Sequence, residues 1–173
     1  AWSAILVSYG LACEQPETSM IANLRESIAA FKASGARIRL PYYFGLLAQV
    51  CRRAGRPDEG LAALDEGMAA SRANNERWWD AELHRVRGDL LLASGADAPE
   101  AEAAYLRAIE IARRQQAKSL ELRAALSLSR LWQQQSKRTA VHDLLAPIYG
   151  WFTEGFDTAD LREAKVLLAD LGT

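Results

Sequence analysis

"AQVCRRAGRPDEGLAALDEG", residues 48–67, contains one complete joint between two helices. Gly55 stands where a helix closes on a residue in the left-handed conformation, which glycine enters without steric cost. Pro57 suits the first turn of a new helix, where its missing N–H has no partner to lose. Asp58 and Glu59 set negative charge against the positive end of that helix. Ala48 lies seven positions before the turn, and Gly60 and Gly67 bracket the large Leu64 after it. Small residues let two antiparallel helices approach closely, and the large one fills the gap to the next pair.

The joint recurs. Gly88 and Gly95 are seven apart, as are Ser129 and Ser136; Ala48 to Gly88 is 40 residues and Gly88 to Ser129 is 41. The second helices agree: Gly60-x3-Leu64-x2-Gly67, then Ala101-x3-Tyr105-x2-Ala108, then Ala140-x3-Leu144-x2-Pro147. Apolar residues follow the helical period throughout, with no convincing strand alternation. Helices are predicted near residues 2–13, 17–34, 40–54, 57–73, 78–94, 98–116, 118–135, 138–150 and 158–171. Gly35, Gly55 and Gly95 close helices, Asp97 with Glu100 reads as a capping box, and Arg113 and Arg114 suit a helix C-terminus. The expected fold is all-α: a right-handed α-solenoid of antiparallel hairpins. Residues 1–35 form a degenerate hairpin, 40–75, 77–116 and 118–150 form repeats, and 157–171 form a capping helix.

The small-x3-large-x2-small pattern resembles that of tetratricopeptide repeats, with a unit longer than their usual ~34 residues. HEAT repeats have a similar period and are the structural alternative. The stretches "LWQQQSKR" (131–138) and "LLAPIYGWFTEGFDTADLREAK" (144–165) resemble the C-terminal repeats of large bacterial signalling proteins. Those proteins join a class III adenylate/guanylate cyclase domain and an AAA-like or STAND-type ATPase module to a long tetratricopeptide array. Two positions depart from that pattern: Ser136, where Gly is usual, and Ala159, where Pro often follows the cap. The resemblance, over roughly residues 118–171, implies a regulatory array rather than a catalytic part. The alternative of another class is the effector-sensing array of a STAND-type transcriptional regulator.

Composition fits that expectation. Of 173 residues, 50% are hydrophobic and 25% charged, the composition of a soluble globular domain. A formal charge of −1 argues against direct nucleic-acid binding. Cys13 and Cys51 both sit in apolar helical patterns and read as buried thiols in a reducing, cytoplasmic compartment. The opening "AWSAILVSYGLAC" lacks a basic n-region and an initiating Met, so it reads as helix from inside a longer protein. No apolar run reaches the ~20 residues that span a bilayer. There is no phosphate loop, and His84 and His142 stand on separate helices without ligand spacing. Asp80, Glu82 and Asp89 read as solvated carboxylates. No catalytic, metal-binding or cofactor-binding residue is expected, and an enzyme with an active site between repeats is the least favoured reading.

Tetratricopeptide arrays bind partners on the concave surface of their first helices. Placing Ala48, Gly88 and Ser129 at the close-packed position puts Tyr42, Gly45, Gln49, Arg52 and Arg53 on that surface. The next helix contributes Glu82, Arg85, Asp89 and Leu92, and the last Arg123, Leu126, Arg130, Gln133 and Gln134. Five arginines against two acids predict a basic groove suited to an acidic protein or peptide segment. Trp78 and Trp79 point about 100° apart on a helix, so one packs inward while the other shields a seam or anchors a partner. Tyr149, Trp151, Phe152 and Phe156 are expected to plug the core beneath a last helix capped by Asp157, with Phe156 stapled to Leu161.

Overall fold

The computed structural model describes residues 2–14 and 18–171, without the side chains of Cys13 and Thr18. The buried thiol expected at Cys13 thus lies outside the described residues, whereas Cys51 is fully buried. The described residues form nine helices and no strand: α1 (Trp2–Glu14), α2 (Thr18–Ala33), α3 (Leu40–Arg53), α4 (Pro57–Asn74), α5 (Asp80–Ser94), α6 (Ala98–Arg114), α7 (Lys118–Gln134), α8 (Arg138–Tyr149) and α9 (Ala159–Leu171).

A left-handed residue punctuates the chain at nearly constant intervals. Gly35, Gly55, Asn75, Gly95, Gln116, Ser136 and Gly155 all have positive φ and are 20, 20, 20, 21, 20 and 19 residues apart; Arg39, at the start of α3, is left-handed as well but lies outside this spacing. Glycine takes that backbone freely, and Ser136 takes it at φ 59° where the repeat pattern calls for glycine. Each helix therefore has the same length of chain to run before it must turn.

Packing follows the alternation. Each odd-numbered helix lies against the even one after it and against the next odd one, so α1, α3, α5, α7 and α9 meet in succession. The backbones of the even helices keep apart, although the Arg25 guanidinium of α2 donates to Glu66 of α4 at 3.0 Å. Gly88 shows why small residues sit where the pattern puts them: a Cβ there would lie 2.5 Å from the Tyr105 ring. Leu47, Leu64, Leu83 and Leu90 fill the core of the first half, and Tyr105, Leu122, Leu126 and Leu145 that of the second. The two cores meet across α5, where Leu90 belongs to one and Leu91 packs on the other. Ser129 is fully buried and its hydroxyl has no hydrogen-bond partner, so its size is what the packing uses.

Three local expectations need correcting. Asp97 has the extended backbone of an N-cap, but its side chain caps nothing, because the Glu100 N–H already donates to the Asp97 carbonyl at 3.0 Å. The last helix begins at Ala159 after Thr158, so Asp157 is not its cap and Phe156 falls out of register for a staple with Leu161. Trp151 and Phe156 are 57% and 46% exposed and do not plug the core. The seam under α9 is closed instead by Leu145, Ile148, Leu161 and Ala164, with Tyr149 and Phe152 partly buried beside them. Trp151 stands edge-on to Phe152, 5.2 Å away, with the Lys118 ammonium 5.8 Å over its ring.

Candidate functional site

Residues 49, 52 and 53 of α3, 85, 89 and 92 of α5, and 123, 126, 130 and 134 of α7 share the helical spacing of one face each. Because these three helices touch in succession, their faces join into a groove of about 740 Å³. Gln49, Arg52 and Arg53 line one side, Arg85, Asp89 and Leu92 the middle, and Arg123, Leu126, Arg130 and Gln134 the far side. Ten of the expected concave residues therefore come together. Tyr42, Gly45, Glu82 and Gln133 are not in the lining. Gly45 is buried, and a Cβ there would meet Leu83 and Trp79 at 3.2 Å. Tyr42 stacks on Trp78, with centroids 5.9 Å apart. Trp79 packs on the core while Trp78 is 45% exposed, and its indole N–H donates to Glu76 at 2.9 Å.

The electrostatics of the groove differ from a simple basic stripe. Arg85 is only 9% exposed. Its guanidinium donates to both Glu82 oxygens at 2.8 and 2.9 Å, to Asp89 at 2.8 Å and to the Ser127 hydroxyl at 3.3 Å. Burial alone would weaken its charge, but Glu82 and Asp89 outweigh that and hold it firmly protonated. Asp89 also accepts the Tyr105 hydroxyl at 2.8 Å, and burial together with that carboxylate pushes the phenol far up. Glu82, only 2% exposed, lies 3.7 Å from Arg123 as well.

Two acids absent from the expected surface come from α9. Asp160 accepts from Arg123 at 3.3 Å, and Glu163 takes a two-pronged bond from Arg130 at 2.6 and 2.7 Å. Hydrogen bonding to Glu163 raises the basicity of Arg130. The five arginines thus face four carboxylates rather than two. Arg52 reaches Asp89 only at 3.9 Å, and Arg53 is exposed with no ion pair among the described residues. The positive charge open to a partner sits at the α3 edge. Sequence reasoning missed Asp160, Glu163, Tyr105 and Ser127. The i−3 and i+4 acids around Arg85 were legible as a local ion-pair pattern, whereas the α9 acids require knowing that α9 crosses α7.

Such an arrangement can bind and orient a polar segment. Among the described residues no group of three or more His, Cys, Asp or Glu is placed to hold a metal ion. Among them, too, no helix is long and apolar enough to cross a membrane.

No family model matches the sequence. A protein of Rhizobium meliloti (strain 1021), described only as uncharacterized, is 32% identical over 111 residues, which is 64% of this chain and 11% of that relative. The matched part spans about a tenth of the length of that curated relative.

Proposed function

We propose that the chain is a non-enzymatic, tetratricopeptide-like α-solenoid that regulates a larger bacterial signalling protein of the cyclase and ATPase type. Its groove takes an acidic segment from a partner protein or from the parent's own domains. The evenly spaced left-handed turns and the contact of odd helices along one side support the solenoid. The observation that carries the binding role is the asymmetry of the groove. Its floor is a closed network of arginines and carboxylates, while Arg52 and Arg53 stand exposed at one edge beside Gln49 and Leu92. Exposed guanidinium forks are suited to carboxylates, and the neutralised floor keeps the partner's register from being set by charge alone.

A labelled glutamate-rich peptide tests this. Its binding should weaken as salt rises, because exposed charge pairs are screened beyond about 8–10 Å at ordinary ionic strength. It should be lost in an Arg52→Glu/Arg53→Glu variant whose melting temperature is unchanged. Binding that survives both would overturn the groove reading.

A further inference from the structure

Because the backbones of the even helices keep apart, α2 with α4 and α4 with α6 each leave a cleft floored by the odd helix between them. The cleft between α4 and α6 measures about 470 Å³. Asp80 and His84 of α5 form its floor, Arg72 and Arg77 lie on one side, and Arg107 and Arg114 of α6 on the other. Met68 and Ile111 add an apolar patch, and no lining residue is shared with the groove.

The cleft between α2 and α4 offers an internal comparison, since its lining positions lie 40 or 41 residues earlier. Lys32 and Arg37 there hold the places of Arg72 and Arg77. Leu40 and Phe44 stand where Asp80 and His84 do, Glu66 where Arg107 does, and Ala73 where Arg114 does. The first two basic positions therefore belong to the repeat, while His84, Arg107 and Arg114 are particular to this cleft. One repeat later, Arg113 and Lys118 occupy the positions of Arg72 and Arg77, and both bond the buried Glu121 at 2.7 and 2.8 Å. Burial raises the Glu121 carboxyl, but those two bonds outweigh it and leave it below its usual range. In the middle cleft Asp80 holds the place of Glu121 but engages its arginines less completely. Asp80 accepts the Ser71 hydroxyl, Arg77 approaches it only to 3.5 Å, and Arg72 has no ion pair among the described residues. Arg107 and Arg114 share Glu110, so four guanidinium groups face two carboxylates.

We propose that this cleft is a second binding site, for a small molecule carrying a phosphate monoester seated between Arg72 and Arg107, with its apolar part on Met68 and Ile111. The surplus of two positive charges matches a phosphate monoester, at about −1.5 to −2, better than a single carboxylate. Guanidinium forks fit its oxygens, and the volume lies within the roughly 300–1,000 Å³ of small-molecule sites. His84 reports occupancy. Burial, and then Arg107, hold its imidazole below the usual value, with Asp80 pulling the other way and Arg87 adding to Arg107. An anion in the cleft offsets the arginines and raises its pKa.

The test uses the whole chain, with phenyl phosphate as the probe and benzoate as the carboxylate comparator. The chain has two histidines, and His142, exposed on α8, serves as the reference resonance in a proton NMR titration. Millimolar phenyl phosphate should raise the His84 midpoint and leave His142 in place. Arg72→Ala, at an exposed position outside the core, and Arg107→Ala should each weaken binding about tenfold, the scale of one charge-assisted bond. Lys32→Ala in the earlier cleft and Arg53→Glu in the groove should change nothing, which separates this site from the groove reading. A His84 midpoint that stays fixed, moves equally with benzoate, or moves undiminished in Arg72→Ala overturns the proposal.

Discussion

Gly88→Ala puts the close approach of α5 and α6 to a quantitative test. The new Cβ would lie 2.5, 2.7 and 2.8 Å from three atoms of the Tyr105 ring, whereas ordinary contact starts at 3.4 Å, so the ring must retreat by about 0.9 Å. Tyr105 is 2% exposed and its hydroxyl is tied to Asp89 at 2.8 Å, so it has little room to comply. Overpacking of this kind costs about 1–3 kcal/mol, and loss of a hydrogen bond to a carboxylate about 1.5–3 more. The better helix propensity of alanine returns about 1 kcal/mol. The expected net loss is about 1.5–5 kcal/mol, a drop in melting temperature of about 3–20 °C for a chain of this length. Urea unfolding followed by circular dichroism measures it. The α3 and α4 pair shows how to relieve the clash, because it carries Ala48 and Leu64 where this one carries Gly88 and Tyr105. Gly88→Ala/Tyr105→Leu should therefore recover much of the loss. If Gly88→Ala alone raises stability by about 1 kcal/mol, as at an open helical glycine, the packing argument fails.

Arg85→Leu strands the buried Glu82 with only Arg123 at 3.7 Å, and chemical denaturation should show a loss of about 3–5 kcal/mol, largely recovered by adding Glu82→Leu. Trp151→Ala and Phe156→Ala should each change stability by no more than about 1 kcal/mol, while Leu161→Ala, at a 3%-exposed position, should cost about 2–5; equal costs would restore the aromatic plug. His84 is held below its usual value, so the unfolded chain binds that proton more readily. Stability should therefore fall as pH drops below about 6.5, level off once the folded-state value is passed, and lose this decline in His84→Gln.

The sequence made the helices legible because successive packed helix pairs use similar small residues at their close approaches and turns. Small residues seven apart, and glycine or a tolerant stand-in at each turn, placed the helices within a few residues of where they lie. Helical spacing then put ten groove residues on the right faces, since each face is a local property of one helix. What stayed hidden depends on how helices cross. Arg123 and Arg130 looked free until α9 brought Asp160 and Glu163 against them. Arg85 looked like a binding residue, but its flanking acids and Ser127 of α7 make it part of the framework. Trp151 and Phe156 follow the end of α8, where aliphatic residues already close the seam and leave the larger rings outside.

The measurement that bears most directly on the proposed role is photo-crosslinking from inside the groove, in the larger signalling protein to which we propose this chain belongs. A benzophenone side chain at Leu92, which is 38% exposed in the groove lining, should capture a discrete protein segment rich in Asp and Glu. The same group at Ala103, exposed on α6, should not, and Arg52→Glu/Arg53→Glu should abolish the Leu92 product. Equal capture from both positions, or capture indifferent to the two arginines, would contradict a partner-binding groove.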